Sequence, residues 1–123
     1  MKTIAYIEDD QDMIDLVSII LQKHGYRVAG FTESREIVPR LESINPELIL
    51  LDLMMPHVDG IEVYKEIKES EKVSGIPVVI ISAMKRAVEE IEREGEIKVE
   101  GCLVKPFTIG DLLETVNRVI GSD

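Results

Sequence analysis

Five short apolar runs punctuate the chain: TIAYI (3–7), YRVAGF (26–31), LILLD (48–52), PVVIIS (77–82) and GCLVK (101–105). Each lacks the alternation of a strand with one wet face and reads as a strand buried on both faces, the habit of parallel sheets. Between them lie helical patterns. After Asp10 the chain carries Met13, Leu16, Val17, Ile20 and Leu21 at helical spacing, then meets Gly25 as a stop. Residues 34–44 set Ile37, Val38, Leu41 and Ile44 on one side, but Pro39 inside the pattern argues for a late start or a kink. From Gly60 a third helix turns Ile61, Tyr64 and Ile67 inward. The stretch KRAVEEIEREGEIKVE is acidic, weakly amphipathic and broken by Gly95, which predicts a short or mobile helix. The last helix opens on Thr108 and Asp111 at capping-box spacing and continues through Leu112, Val116, Val119 and Ile120. Strand and helix thus alternate five times with short connections. That predicts an α/β fold with one doubly wound, five-stranded parallel sheet covered on both faces by right-handed crossovers.

A chain of 123 residues, 45% of them hydrophobic, can bury one ordinary core, so residues 1–123 are expected to form a single domain. The net charge of -10 and the scatter of the basic residues leave no electrostatic footprint for a nucleic-acid backbone. Cys102 is the only cysteine, which excludes an internal disulfide or a multi-cysteine metal site and fits a reducing compartment. The start MKTIAYIEDD lacks a signal-peptide apolar region, and no run approaches the roughly 18 residues of a membrane span. A soluble, cytoplasmic protein is the expectation, with no membrane partner.

Open parallel sheets bind ligands in the crevice beyond the carboxyl ends of their strands. The polar residues gather there. Strand one ends in Glu8, Asp9 and Asp10, strand three in Asp52, strand four in Ser82 and strand five in Lys105. Carboxylates brought together repel one another and call for a compensating cation. Glu8, Asp9 and Asp52 against Lys105 leave two net negative charges, which one Mg2+ would neutralise. Zinc would want His or Cys, and neither His24 nor His57 stands at a strand end. A hydroxyl and an ammonium beside a metal-bound carboxylate can hold a phosphoryl group, so Asp52 is the candidate nucleophile, with Ser82 and Lys105 stabilising the transferring oxygens.

The pieces IEDD, LLDLMMPHVDG, VVIISA and LVKPF, in this order, resemble the receiver domain of two-component response regulators over essentially the whole chain. The resemblance implies a flavodoxin-like (βα)5 fold with strand order 2-1-3-4-5. Asp52 would be the phosphoacceptor, charged from a phosphohistidine on a sensor histidine kinase or phosphotransfer protein. Glu8, Asp9, Asp52 and the Met54 backbone carbonyl would hold Mg2+. Ser82 would follow the phosphoryl group as the switch hydroxyl, and Lys105 would pair with a phosphoryl oxygen, with the Lys105-Pro106 bond cis. Such a protein is no enzyme in the usual sense, since it catalyses only its own phosphorylation and dephosphorylation.

Two features depart from the common pattern. Many receivers carry Tyr or Phe where this chain has Cys102, so switching at the surface of helix four, strand five and helix five is expected to differ. Met54 and Met84 stand where family side chains tune hydrolysis of the phosphoaspartate, and a thioether cannot orient water, which suggests a long-lived phosphorylated form. Ile14, at the edge of the inward arc of helix one, is the expected contact for a kinase or phosphotransfer helix. Downstream, a separate protein or an effector domain beyond these residues would receive the signal. The alternative is a pseudo-receiver that binds partners without phosphorylation. A flavodoxin-type FMN carrier fits less well, because EDDQD would repel the phosphate that such a loop must hold. A dehalogenase-type phosphatase would want a second acid where Met54 stands.

Overall fold

The computed structural model describes residues 1–56, 58–95 and 97–121. His57, set aside above as a zinc ligand, lies outside the described residues, as do Glu96 and residues 122–123. Strands β1 (Lys2–Ile7), β2 (Tyr26–Phe31), β3 (Leu48–Asp52), β6 (Val78–Ser82) and β7 (Gly101–Val104) form one sheet in the order β2-β1-β3-β6-β7. Every pair in it is parallel. Two-residue strands β4 (Met54–Met55) and β5 (Val58–Asp59) make a separate antiparallel ribbon. Without that ribbon the order is the expected 2-1-3-4-5. Helices α1 (Gln11–Lys23), α2 (Ile37–Ile44), α3 (Gly60–Glu69), α4 (Lys85–Glu94) and α5 (Ile109–Ile120) supply the crossovers.

The period of two along each central strand divides the core into two layers. Ile4, Tyr6, Leu48, Leu50, Val79 and Ile81 face α1 and α5, where Val17, Leu21, Leu112 and Val116 meet them. Ala5, Ile7, Ile49, Leu51, Val78 and Ile80 face the other way, toward Ile37, Leu41, Val63 and Ile67. All of these strand residues are fully buried, which is why their runs are continuous rather than alternating. The edge strands β2 and β7 are only partly covered.

Helix boundaries follow local chemistry. Asp10 caps α1 by accepting from the N–H groups of Asp12 at 2.9 Å and Met13 at 3.4 Å. Gly25 and Gly95 take positive φ of 90° and 65° just beyond α1 and α4, as their sequence positions predict. Pro39 neither kinks nor breaks α2: the helix starts late, at Ile37, so the proline falls in the first turn, where its missing N–H has no intrahelical partner to lose. The Thr108–Asp111 capping box is present in both directions. Lys105 and Pro77 lie just outside the strands predicted to contain them, and β1 begins one residue early.

The expected phase of α1 needs correction. Ile14 is 5% exposed, whereas Leu16, placed inward by its spacing, is 53% exposed. The buried stripe is Ile14, Val17 and Leu21. The cause lies across the interface: a Cβ on Gly30 of β2 would stand 2.5 Å from Ile14 Cγ2, so the bare glycine lets Ile14 sink onto the strand. Ile14 is therefore core and cannot be a partner contact. The apolar residues that α1 presents to solvent are Leu16 and Ile19.

Candidate functional site: an acidic pocket at the carboxyl edge of the sheet

Parallel register brings four strand ends together. Asp52 is the last residue of β3 and lies opposite Ile81, while Ser82 lies opposite Val104. The ladder continues one residue beyond the strands: Glu8 N–H donates to the Phe31 carbonyl at 3.0 Å, Leu53 N–H to Ile81 at 2.9 Å and Lys105 N–H to Ser82 at 2.8 Å. Each site residue thus has its backbone fixed by the sheet, and its side chain alone reaches into the crevice.

The Lys105 ammonium joins the acids. Its Nζ donates to Glu8 Oε1 at 2.9 Å, Glu8 Oε2 at 2.8 Å and Asp52 Oδ2 at 2.8 Å. The remaining Asp52 oxygen accepts from the Met54 N–H at 2.8 Å. Glu8 and Asp52 are each 1% exposed, and such charges survive burial only when paired. Asp9 is exposed beside them, and one oxygen from each of Glu8, Asp9 and Asp52 lies within 4.8 Å of the others. Ser82 is fully buried at the same edge, its Oγ accepting from the Met84 N–H at 3.0 Å. The Lys105-Pro106 peptide is cis.

One ammonium shared between two buried carboxylates is an unbalanced arrangement. Burial, followed by the adjacent Asp52, pushes the Glu8 carboxyl up to about 7 against the pull of Lys105. Burial acts on Asp52 in the same direction, but the hydrogen bonds from Glu8, Lys105 and the Met54 N–H outweigh it and hold Asp52 below the ordinary range. Burial depresses Lys105, yet its contacts with Asp52 and Glu8 raise it overall. Glu8 is therefore the group that takes up a proton first. An all-oxygen donor set with surplus negative charge fits a hard divalent cation, with no soft ligand in the cluster.

The other predicted residues sit at or beyond the rim. Met54 and Met84 are about half exposed, and Asp10 is occupied as the α1 cap. Cys102 stands opposite Ile80 on the sheet face away from α1 and α5, outside the pocket. Two features escaped the sequence. A groove of about 490 Å³ beside Lys105 is lined by Met13, Leu16, Ile20, Phe107 and Ile109; Leu16 and Ile109 stand 53% and 57% exposed along it, and the inward reading of Leu16 hid it from the sequence. Tyr6, two residues before Glu8 on one strand, brings a hydroxyl to the buried side of the pocket.

Residues 4–117 match the profile of the response regulator receiver domain. The fold, the acidic pocket and this match agree, and the chain belongs to that family. It is 32% identical over 120 residues to the DNA-binding dual master transcriptional regulator RpaA of Synechocystis sp., covering 98% of this chain and 49% of that protein. It is 29% identical over 122 residues to the polar-differentiation response regulator DivK of Brucella ovis, covering 98% and 97% of the two chains. The receiver domain of sensor histidine kinase PA1611 from Pseudomonas aeruginosa, solved with a magnesium ion in its active-site cleft, superposes with a TM-score of 0.82 at 25% identity over 98% of each chain. The chain therefore spans about half of one curated relative and nearly all of another.

Proposed function

We propose that residues 1–123 form one phosphoacceptor domain, charged on Asp52 by a phosphohistidine of a sensor kinase or phosphotransfer protein. The observation that carries this reading is the Lys105 ammonium bridging two buried carboxylates at 2.8–2.9 Å. An Asp52 oxygen forms the new bond to phosphorus as the phosphorus–nitrogen bond of the donor breaks, and the electron pair stays on the leaving imidazole, which then takes up a proton. Lys105 follows the transferred group and neutralises an oxygen on it, and Ser82 offers its hydroxyl to another. Glu8, Asp9, Asp52 and the Met54 carbonyl would hold Mg2+, whose chemistry is to draw off charge from the phosphoryl oxygens. The magnesium in the PA1611 receiver supports that choice of ion.

The apolar groove between α1 and the start of α5 opens beside Lys105 and suits the helix of a phosphohistidine donor. Leu16, Phe107 and Ile109 replace Ile14 as the contacts. Output leaves through the surface of α4, β7 and α5, around Cys102, to a separate protein as in a regulator of DivK's length or to an attached domain as in one of RpaA's. The domain turns over no external substrate beyond its own phosphorylation and dephosphorylation, and it works in the cytoplasm. No helix among the described residues is long and apolar enough to cross a membrane.

Intact mass after incubation with acetyl phosphate, with and without Mg2+, tests the reading on the native chain and on Asp52→Asn. One phosphoryl group gained only with both Mg2+ and Asp52 is the expected result. No gain under any condition would overturn it and leave a pseudo-receiver, an interaction module that works without phosphorylation.

A further inference from the structure

The chain holds three tyrosines, and two have their hydroxyls engaged. Tyr26 donates to Asn117 Oδ1 at 2.6 Å and Tyr64 to the Lys98 carbonyl at 2.5 Å. Tyr6 differs. It lies in β1 between Gly30 of β2 and Leu50 of β3, wholly buried. Its hydroxyl is the one buried side-chain polar atom among the described residues with no hydrogen-bond partner. A buried donor left unmade is costly, and phenylalanine would fill the same space without that cost.

The surroundings say what the oxygen faces. Tyr6 and Glu8 are two residues apart on one strand and so project to the same side of the sheet. Burial raises the Tyr6 phenol far above its ordinary value, and Glu8 is the strongest of the neighbouring charges, followed by Asp52. The hydroxyl therefore stays protonated and faces the Glu8 carboxyl, which Lys105 grips through both of its oxygens. Held in that grip, Glu8 keeps an acceptor site near the phenol but does not present it at hydrogen-bonding geometry.

We infer that Tyr6 is a positioning residue whose hydroxyl donates to Glu8 when Lys105 leaves it. The trigger rests on the phosphoacceptor reading, in which Lys105 turns to an oxygen of the phosphorylated Asp52; the handover itself needs only that the ammonium be gone. Without a replacement donor, Glu8 would lose its side-chain hydrogen bonds to Lys105 while still buried. A neutral phenol keeps the carboxylate aimed at the crevice and adds no positive charge beside a bound cation. The resting state leaves the Tyr6 hydrogen bond unmade and the loaded state makes it, so the tyrosine biases the pocket toward loading.

NMR of the full chain labelled at tyrosine Cζ reads this directly, with Tyr6→Phe assigning the resonance. In Lys105→Met, without any ligand, the Tyr6 signal is expected to shift to that of a donating hydroxyl while Tyr26 and Tyr64 hold still. The same shift is expected in the native chain on adding Mg2+ and beryllofluoride. Tyr6→Phe should unfold no earlier than the native chain in the resting state, yet bind Mg2+ with beryllofluoride on the order of tenfold more weakly, the scale of one hydrogen bond to a charged acceptor. A Tyr6 resonance unmoved in Lys105→Met overturns the inference. If acetyl phosphate leaves Asp52 unmodified, the phosphoacceptor reading fails, and the Lys105→Met spectrum still decides the handover.

Discussion

Helices α4 and α5 flank the same edge strand, β7, and are held to very different degrees. α5 buries Leu112, Thr115, Val116 and Ile120, and its first turn is closed by the reciprocal Thr108–Asp111 cap. α4 buries only Val88, has Met84 at its N-cap position with no side-chain hydrogen bond, and carries a surface ion pair, Lys85 to Glu89 at 3.9 Å, of the exposed kind that contributes little. The two helices also stand on opposite sides of the pocket chemistry. α5 follows directly on Lys105, whose position must be accurate to within bond lengths, and α4 follows on Ser82 and Met84, at the start of the surface through which a signal would leave. Tight packing belongs on the side that positions charge, and a lightly held helix on the side that must rearrange.

Core truncation gives the largest separation between the two. Leu112→Ala removes a fully buried side chain and should cost about 3 kcal/mol, by the usual cost of a leucine-sized cavity. Ile91→Ala, on a half-buried residue of α4, should cost about 1 kcal/mol, since solvent already reaches the site. Urea unfolding of both variants checks this through the midpoint at constant slope. Equal losses would dissolve the contrast. At the next level down, Thr108→Ala deletes a cap and should cost about 1 kcal/mol. Met84→Ala deletes no hydrogen bond and should be near neutral in the same assay.

The contrast was visible in the sequence where it depends on local signals. The capping box at Thr108, the apolar spacing of α5 and the acidic, Gly95-broken run of α4 all announce themselves within a few residues. So do the strand ends, because Glu8, Asp52, Ser82 and Lys105 each interrupt a continuous apolar run. The phase of α1 was not legible, because it is decided by the missing side chain of Gly30 on another strand. Nor was the β4–β5 ribbon, whose two-residue strands carry no period to detect. The idle hydroxyl of Tyr6 was hidden for a third reason: whether a buried donor is satisfied depends on what its neighbours are already bonded to. Spacing in the chain carries no such information.

Cys102 gives the smallest effect and the most local one. It lies on β7 where α4 covers the sheet lightly, half-buried, with Ile80 across the strand and Glu92 of α4 near. Burial first, then the Glu92 charge, pushes its thiol up to about 11. Both act against the thiolate, which is the form that reacts with an alkylating reagent. At pH 8 only about one molecule in a thousand carries the thiolate, so alkylation by iodoacetamide should be slow there and climb until the pH passes about 11. Glu92→Gln removes the smaller of the two causes and should move the midpoint of that rate profile down, leaving most of the shift in place. A profile centred near the free-cysteine value of about 8.5 would mean that α4 leaves β7 often enough to expose the thiol to water. The helix would then be looser than its single buried valine implies, and the difference from α5 larger than the static packing shows.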